Sequence, residues 1–336
     1  MKTCTSPSIR VSVGTAVVLG LSEGKLDAAP TTAYLMTHSP TKCTANCGFC
    51  PQARESRGRA DMLSRVSWPP FPAKTVVQRI KVAYLNSKIE RTCIQVINSP
   101  EAIESIIPLA RAMTSQSTVP LSISCQPANN ENMRALVEAG VERMGIPLDA
   151  ASEEVFEKVK GRLSGSPYQW KEQIELLKKA VRLFGKDKVT THLIVGLGET
   201  DREMVNTIQM CCDLNVLPAL FAFTPIQGTA METLCQPSVE RYRRIQMARH
   251  LIVHDMVRAD GMIFGDGGEL LGFGANDEDL TEAVGSGEPF LTTGCPSCNR
   301  PYYNEKPSGP VYNYPLKLTA RQKREALSQL KVKTGL

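Results

Sequence analysis

The chain has 336 residues and a formal net charge of +5, from 39 lysines and arginines against 34 aspartates and glutamates. That length suits one α/β barrel of roughly 250 residues with insertions, and an apolar fraction of 42% allows a large buried core. The basic excess is mild and forms no dense stripe interleaved with aromatics, which argues against nucleic acid; it is compatible with docking an acidic partner. Eleven cysteines, an odd number, do not suit a fully paired disulfide scaffold.

In chain order, the first feature is an apolar run over 11–21, preceded by Lys2 and Arg10 in the manner of a signal peptide. Ser12, Gly14, Thr15 and Gly20 interrupt it, and it is shorter than the roughly 20 residues that cross a bilayer. We read it as a helix packed on a barrel, within an N-terminal helical extension over 1–30, with no membrane span. Short β-rich runs follow at 31–36, 92–97, 119–124, 141–146, 189–195, 219–224 and 262–264, with 289–292 a candidate eighth. Helical patterns lie between them. Ser99 before Pro100 reads as an N-cap with proline in the first turn, and Thr200-x-x-Glu203 and Thr319-x-x-Gln322 read as capping boxes. This alternation predicts a parallel sheet closed as a (β/α)8 TIM-type barrel over 31–298, with a covering loop and helix over 299–336. Two long loops stand out. The 51–72 loop carries Arg54, Arg57, Arg59 and Arg65; the 299–315 loop carries four tyrosines among its prolines.

Directly after the first predicted strand stands Cys43-Thr-Ala-Asn-Cys47-Gly-Phe-Cys50. Three thiolates within eight residues can wrap a compact inorganic core, with Gly48 allowing close approach of the backbone. Three protein ligands on a four-iron cluster leave one iron open. A zinc knuckle is the alternative, but zinc usually wants four ligands in closely spaced pairs. The x3–x2 spacing resembles the radical S-adenosylmethionine (SAM) superfamily. That resemblance implies a SAM-binding [4Fe–4S] cluster on Cys43, Cys47 and Cys50, with SAM chelated at the open iron and cleaved to a 5′-deoxyadenosyl radical. Ligand thiols must stay reduced, which predicts a cytoplasmic or equally reducing setting.

The same resemblance implies further cofactor contacts. Phe49 looks like the aromatic that lies against the adenine, with plain core packing as the alternative. Asp149, at the end of the fourth predicted strand, resembles the ribose ligand of biotin-synthase-like members; the other reading is a helix N-cap. Ile194, in Ile194-Val-Gly-Leu-Gly-Glu199, resembles the adenine-side strand end, and Gln95 stands where a SAM-amine contact belongs. His192 reads as a core or pocket-lining residue, and one of Cys211 and Cys212 as core.

Four more cysteines remain. The order of cluster loop, Cys93, Cys125 and Val-Gly-Leu-Gly-Glu is similar to biotin synthase, but Thr190 replaces the strand-five cysteine that its second cluster requires. Cys295-Pro-Ser-Cys298 supplies a different pair, so Cys93, Cys125, Cys295 and Cys298 form a candidate auxiliary [4Fe–4S] set at strand positions on the barrel's active face. Cys50-Pro-Gln-Ala-Arg54, the 291–305 stretch around that Cys-x-x-Cys, and Gly309-Pro-Val-Tyr-Asn-Tyr-Pro315 resemble the two-protein, archaeal-type lipoyl synthases. This implies a sulfurtransferase acting on an octanoylated lipoyl-carrier domain. Its partners would be a paralogous radical SAM subunit and a low-potential donor such as ferredoxin or flavodoxin. The rivals are a mutase or ring-forming enzyme without sulfur insertion, a non-catalytic Fe–S or zinc protein, and a zinc site joining Cys295 and Cys298 to His250 and His254 on an amphipathic outer helix.

Overall fold

The structure, a computed structural model, describes residues 7–39, 41–127, 129–306 and 308–330; Lys2 and Cys4 lie outside them. The chain enters through a strand, β1 (Ser8–Val11), and a short helix, α1 (Val13–Val18), which takes up the early apolar run. Ser12 caps that helix, its Oγ accepting from the Thr15 amide at 3.4 Å. β2 (Thr32–Thr37) runs antiparallel to β1, and the spaced cysteines follow it. The 51–72 loop is ordered as a hairpin of β3 (Met62–Leu63) and β4 (Val66–Ser67), then β5 (Pro70–Pro72), which pairs with the outer edge of β1.

Strand and helix then alternate: α2 (Ala73–Leu85), β6 (Arg91–Gln95), α3 (Ala102–Gln116), β7 (Leu121–Ser124), α4 (Asn130–Glu138), β8 (Arg143–Gly145), α5 (Glu153–Val159), α6 (Trp170–Phe184), β9 (Val189–Val195), α7 (Asp201–Asp213) and β10 (Val216–Ala222). The sheet order is β10-β9-β8-β7-β6-β2-β1-β5, with β2 and β6 to β10 parallel. The TIM-type α/β architecture is therefore as the alternation implies, but six parallel strands form it, extended at the β2 edge by β1 and β5 through antiparallel pairings. The 262–264 run instead starts a separate hairpin of β11 (Ile263–Phe264) and β12 (Leu270–Gly272). The 289–292 run is a 3₁₀ turn over Glu288–Phe290 with one bridge from Leu291 to Tyr314; Pro289 has no amide to donate to a ladder.

Alternation along the strands sorts side chains between two environments. Leu35, Ile94, Leu121, Met144 and Leu193 are fully buried in the apolar cores, whereas Tyr34, Cys93, Gln95, Ser122 and His192 face a central cavity. Among helix starts, the Thr200–Glu203 box is present, and Thr319 and Gln322 bond reciprocally at 3.3 and 2.9 Å. Ser99 does not cap: α3 begins three residues later, with Glu101 at the cap position.

α8 (Val239–Val253) departs from the amphipathic outer helix expected of it: most of its residues from Tyr242 to Ile252 are buried. α9 (Asp277–Ser286), the returning C-terminal segment and α10 (Ala320–Leu330) complete the chain. Arg243 is 0% exposed, and its guanidinium donates to the carbonyls of Val311 and Tyr312, each at 2.6 Å. That pairing of a buried cation with main-chain acceptors holds the C-terminal segment over α8. Among the described residues, no helix is long and apolar enough to cross a membrane.

Candidate active site

A cavity of ≈ 270 Å³ is lined by Cys43, Cys47, Cys50, Cys93, Cys125, Cys295 and Cys298, and by Phe49, Gln95, Asp149 and Ile194. The candidate cluster and SAM-contact residues thus border one space, and the ten described cysteines are all unpaired.

The first thiol group sits on the loop after β2, at the C-terminal rim of the parallel strands. Main-chain bonds fix this loop: Cys43 N–H to Gln52 O at 3.0 Å, Gly48 N–H to Val159 O at 2.8 Å and Met231 N–H to Gly48 O at 3.1 Å. A Cβ on Gly48 would stand 3.3 Å from Met231 Cγ and Sδ, so glycine lets the loop lie between α5 and the chain after β10. Burial pushes the Cys47 thiol up to about 12, with Asp149 and Cys43 adding and Lys160 opposing; Cys50 is raised in the same way. Among the described residues, one set of three His, Cys, Asp or Glu ligand atoms lies within 4.8 Å of one another, and it is His250, His254 and Glu288. The cysteine triad is not gathered that tightly.

Asp149 holds a left-handed backbone, φ 67°, uncommon for a residue other than glycine. Its amide donates to His192 O at 2.7 Å and its carbonyl accepts from Ile194 N–H at 2.8 Å, so the end of β9 aims the side chain into the cavity. It caps no helix: Ser152 caps α5. Its carboxylate meets Lys160 Nζ at 2.6 Å, and Lys160 also donates to Pro147 O. Ile194 lines the cavity just before Gly196, whose amide, like that of Leu197, donates to the buried Glu199 carboxylate. Phe49 both borders the cavity and packs against the core. Gln95 turns its amide along its own strand to Cys93 Sγ, at 3.2 Å.

The second thiol group arrives from the other end. Thr31 and Thr32, where β2 begins, donate to Ser297 O at 2.6 and 2.9 Å, and Arg91, the first residue of β6, donates to Pro296 O at 3.3 Å. The Cys295–Cys298 segment therefore forms a floor across the N-terminal ends of the strands, not a loop on the active face as the strand count implied. From there Cys295 Sγ accepts from Ser122 Oγ at 3.6 Å, and Cys298 Sγ lies 3.4 Å from Tyr34 Oη and 3.2 Å from Arg300 Nη1. Burial raises the Cys93 thiol, and Cys295 and Cys298 raise it further, against Arg300 and Arg91. Cys125 stands apart: burial alone raises its thiol, to about 12, and no other cysteine acts on it. Three of the four proposed auxiliary cysteines converge; Cys125 does not join them. His250 and His254 lie with Glu288, away from Cys295 and Cys298, which removes the Cys2His2 alternative.

The model of the radical SAM superfamily matches residues 39–211, more than half of the chain. The chain belongs to the radical SAM superfamily. A biotin synthase of Persephonella marina is 27% identical over 208 residues, 60% of this chain and 57% of that enzyme, so less than two thirds of the relative's length is spanned. Methylornithine synthase superposes with a TM-score of 0.52 at 12% identity, over 66% of this chain and 62% of its own. The FeFe-hydrogenase maturase HydG from Carboxydothermus hydrogenoformans superposes with a TM-score of 0.50 at 15% identity, over 72% and 55%. At those identities the two structures speak for the fold alone.

Radical SAM chains use a [4Fe–4S] cluster and SAM, and the rim fits both. The Cys47 and Cys50 thiols are raised by burial and by neighbouring cysteines, which iron would relieve by taking them as thiolates. Trp68 Nε1 and Gln126 Oε1 border the same cavity, buried and without a partner. Sequence reasoning missed Lys160, Arg300 and Tyr303. Arg300 stacks 4.1 Å over Phe221, and Tyr303 stands between the thiol groups, with Cys50 and Cys93 both acting on its hydroxyl. Only the nearness of Arg300 and Tyr303 to Cys298 in the chain could have pointed to them; Lys160 carried no signal.

Proposed function

We propose that this chain is a radical SAM sulfurtransferase, one component of a two-protein lipoyl synthase that inserts sulfur into a protein-bound octanoyl chain. The observation that supports this reading is the pairing of two thiol groups across one cavity: Cys43, Cys47 and Cys50 at the rim, and Cys93, Cys295 and Cys298 at the floor. The rim cluster would supply the electron that cleaves SAM, and the floor thiols would hold a second, sulfur-bearing cluster. Between them the wall includes Met36, Ile194, Ala219 and Phe221, an apolar lining suited to an aliphatic chain. Asp149 would bind the ribose hydroxyls of SAM, with Phe49 and Ile194 beside the adenine and Gln95 below. The floor keeps water from the radical.

The carrier domain would dock at the rim, where the 51–72 loop presents arginines. Arg54 and Arg59 are already paired with Glu55 and Asp61, which leaves Arg57 and Arg65 as the candidate contacts for an acidic surface. A paralogous radical SAM subunit and a ferredoxin- or flavodoxin-type donor complete the system.

Anaerobic reconstitution tests the reading. The wild type should hold about eight irons per chain, and the Cys43/Cys47/Cys50→Ala variant about half of that. Cys295→Ser should still release 5′-deoxyadenosine while transferring no sulfur to an octanoylated carrier. No iron in the triple variant would remove the second cluster and with it sulfur insertion, leaving the radical SAM assignment intact.

A further inference from the structure

Outside the cavity, one stripe of α8 is unexplained by radical chemistry. Gln246, His250 and His254 recur every fourth residue and so share one face of the helix. Gln246 fixes where that face points: its amide donates to Phe290 O at 3.4 Å and to Tyr312 O at 3.0 Å. The next two turns therefore look at the start of the 3₁₀ turn, where Glu288 sits. Ser286 Oγ accepts from the Glu288 amide at 3.0 Å and sets that residue in place. The imidazoles of His250 and His254 lie 4.4 Å apart between ring centroids, tilted by 47°. One ligand atom from each of His250, His254 and Glu288 falls within 4.8 Å of the other two.

We propose that His250, His254 and Glu288 form a Zn²⁺ site, with water in the fourth position. Two imidazoles and one carboxylate are a donor set that zinc takes at about 2.0–2.2 Å, which asks for ligand atoms about 3.3 Å apart. His254 and Glu288 are exposed and can close by a rotamer change, while His250 is 8% exposed and held by the core. The C-terminal carbonyls of α8 end at this point, His254 being the C-cap, and their partial negative charge favours a cation. Bound zinc would tie the end of α8 to the turn leading into Cys295 and Cys298. The inference does not depend on sulfur insertion.

The test uses the cluster-loaded chain, in which iron occupies the cavity thiols. Dialysed anaerobically against Zn²⁺, the wild type should retain one zinc whose X-ray absorption shows a nitrogen and oxygen shell near 2.0 Å and no sulfur shell near 2.3 Å. His254→Ala and Glu288→Ala, both exposed changes, should each weaken zinc binding by roughly tenfold or more, a loss that even outer partners of a metal produce. Zinc should raise the unfolding midpoint of the wild type and not of the variants. Unchanged zinc affinity in both variants, or a sulfur shell in the wild type, would overturn the site.

Discussion

The Asp149–Lys160 pair lets a binding role be separated from a structural one. Its side chains are 10% and 2% exposed and meet at 2.6 Å. At an effective dielectric of about 20, charges so close attract by about 6 kcal/mol, and desolvating each ion costs several kcal/mol, so the net worth of the pair is small. Removing one partner is another matter. Asp149→Ala leaves the Lys160 ammonium buried with the Pro147 carbonyl and the Tyr168 ring, 5.4 Å away, as company. The expected loss is about 3–5 kcal/mol in anaerobic urea unfolding. Asp149→Ala/Lys160→Met removes both charges and should recover most of it. If Asp149 also binds the ribose of SAM, both variants should lose about 1–3 kcal/mol of SAM affinity, with no recovery in the double variant. A single variant as stable as the wild type would refute the burial argument. SAM affinity restored along with stability would show that Asp149 acts only through Lys160.

Replacing Cys43, Cys47 or Cys50 with Ala should abolish reductive cleavage of SAM, read as 5′-deoxyadenosine by chromatography; wild-type yield from any one variant would contradict the triad. Cys125→Ser should keep the full iron complement while Cys93→Ser loses about half, as measured by iron and sulfide analysis. Burial lifts the Glu305 carboxyl to about 7 despite the Asn304 and Asn313 amides that bond to it. The folded chain thus binds that proton more tightly than the unfolded one. Its contribution is full below about 4.5 and is lost as pH rises towards about 7. Glu305→Gln should flatten that fall in stability, and identical pH profiles would count against it. Turnover of an acidic carrier domain should exceed that of a free octanoyl peptide and should decline with salt, the screening length being about 8 Å at physiological strength; equal rates at all salt levels would exclude docking through Arg57 and Arg65.

The strands that form the barrel were legible because each is a β-rich run closed by a helix start, and the rim loop was legible because its three cysteines are local in sequence. The misplacement of the floor cysteines follows from the strand count. Counting 262–264 and 289–292 as barrel strands put Cys295 and Cys298 on the active face. With six parallel strands, the chain after β10 passes through α8, the β11–β12 hairpin and α9, and returns at the opposite end. α8 looked amphipathic because Arg243 and Arg249 are polar by type; their guanidinium groups instead reach carbonyls of Val311, Tyr312 and Pro218, partners that no periodicity records. Asp149 was recognised, but the lysine that balances it lies eleven residues away with no pattern to mark it.

The floor also imposes an order on the birth of the protein. The rim cysteines precede most of the barrel wall, which is complete at Ala222, yet Tyr34 waits 264 residues for Cys298, and Thr31 waits 268 for Asn299. Domains begin folding from the N-terminus during synthesis, and closing so long a loop costs only logarithmically more than a short one. A nascent barrel is therefore open at its lower mouth until the segment from Cys295 to Asn299 emerges. Iron delivered early can meet the rim thiols and Cys93 but not the complete floor set, and a chain cut short before Cys295 would lack that floor.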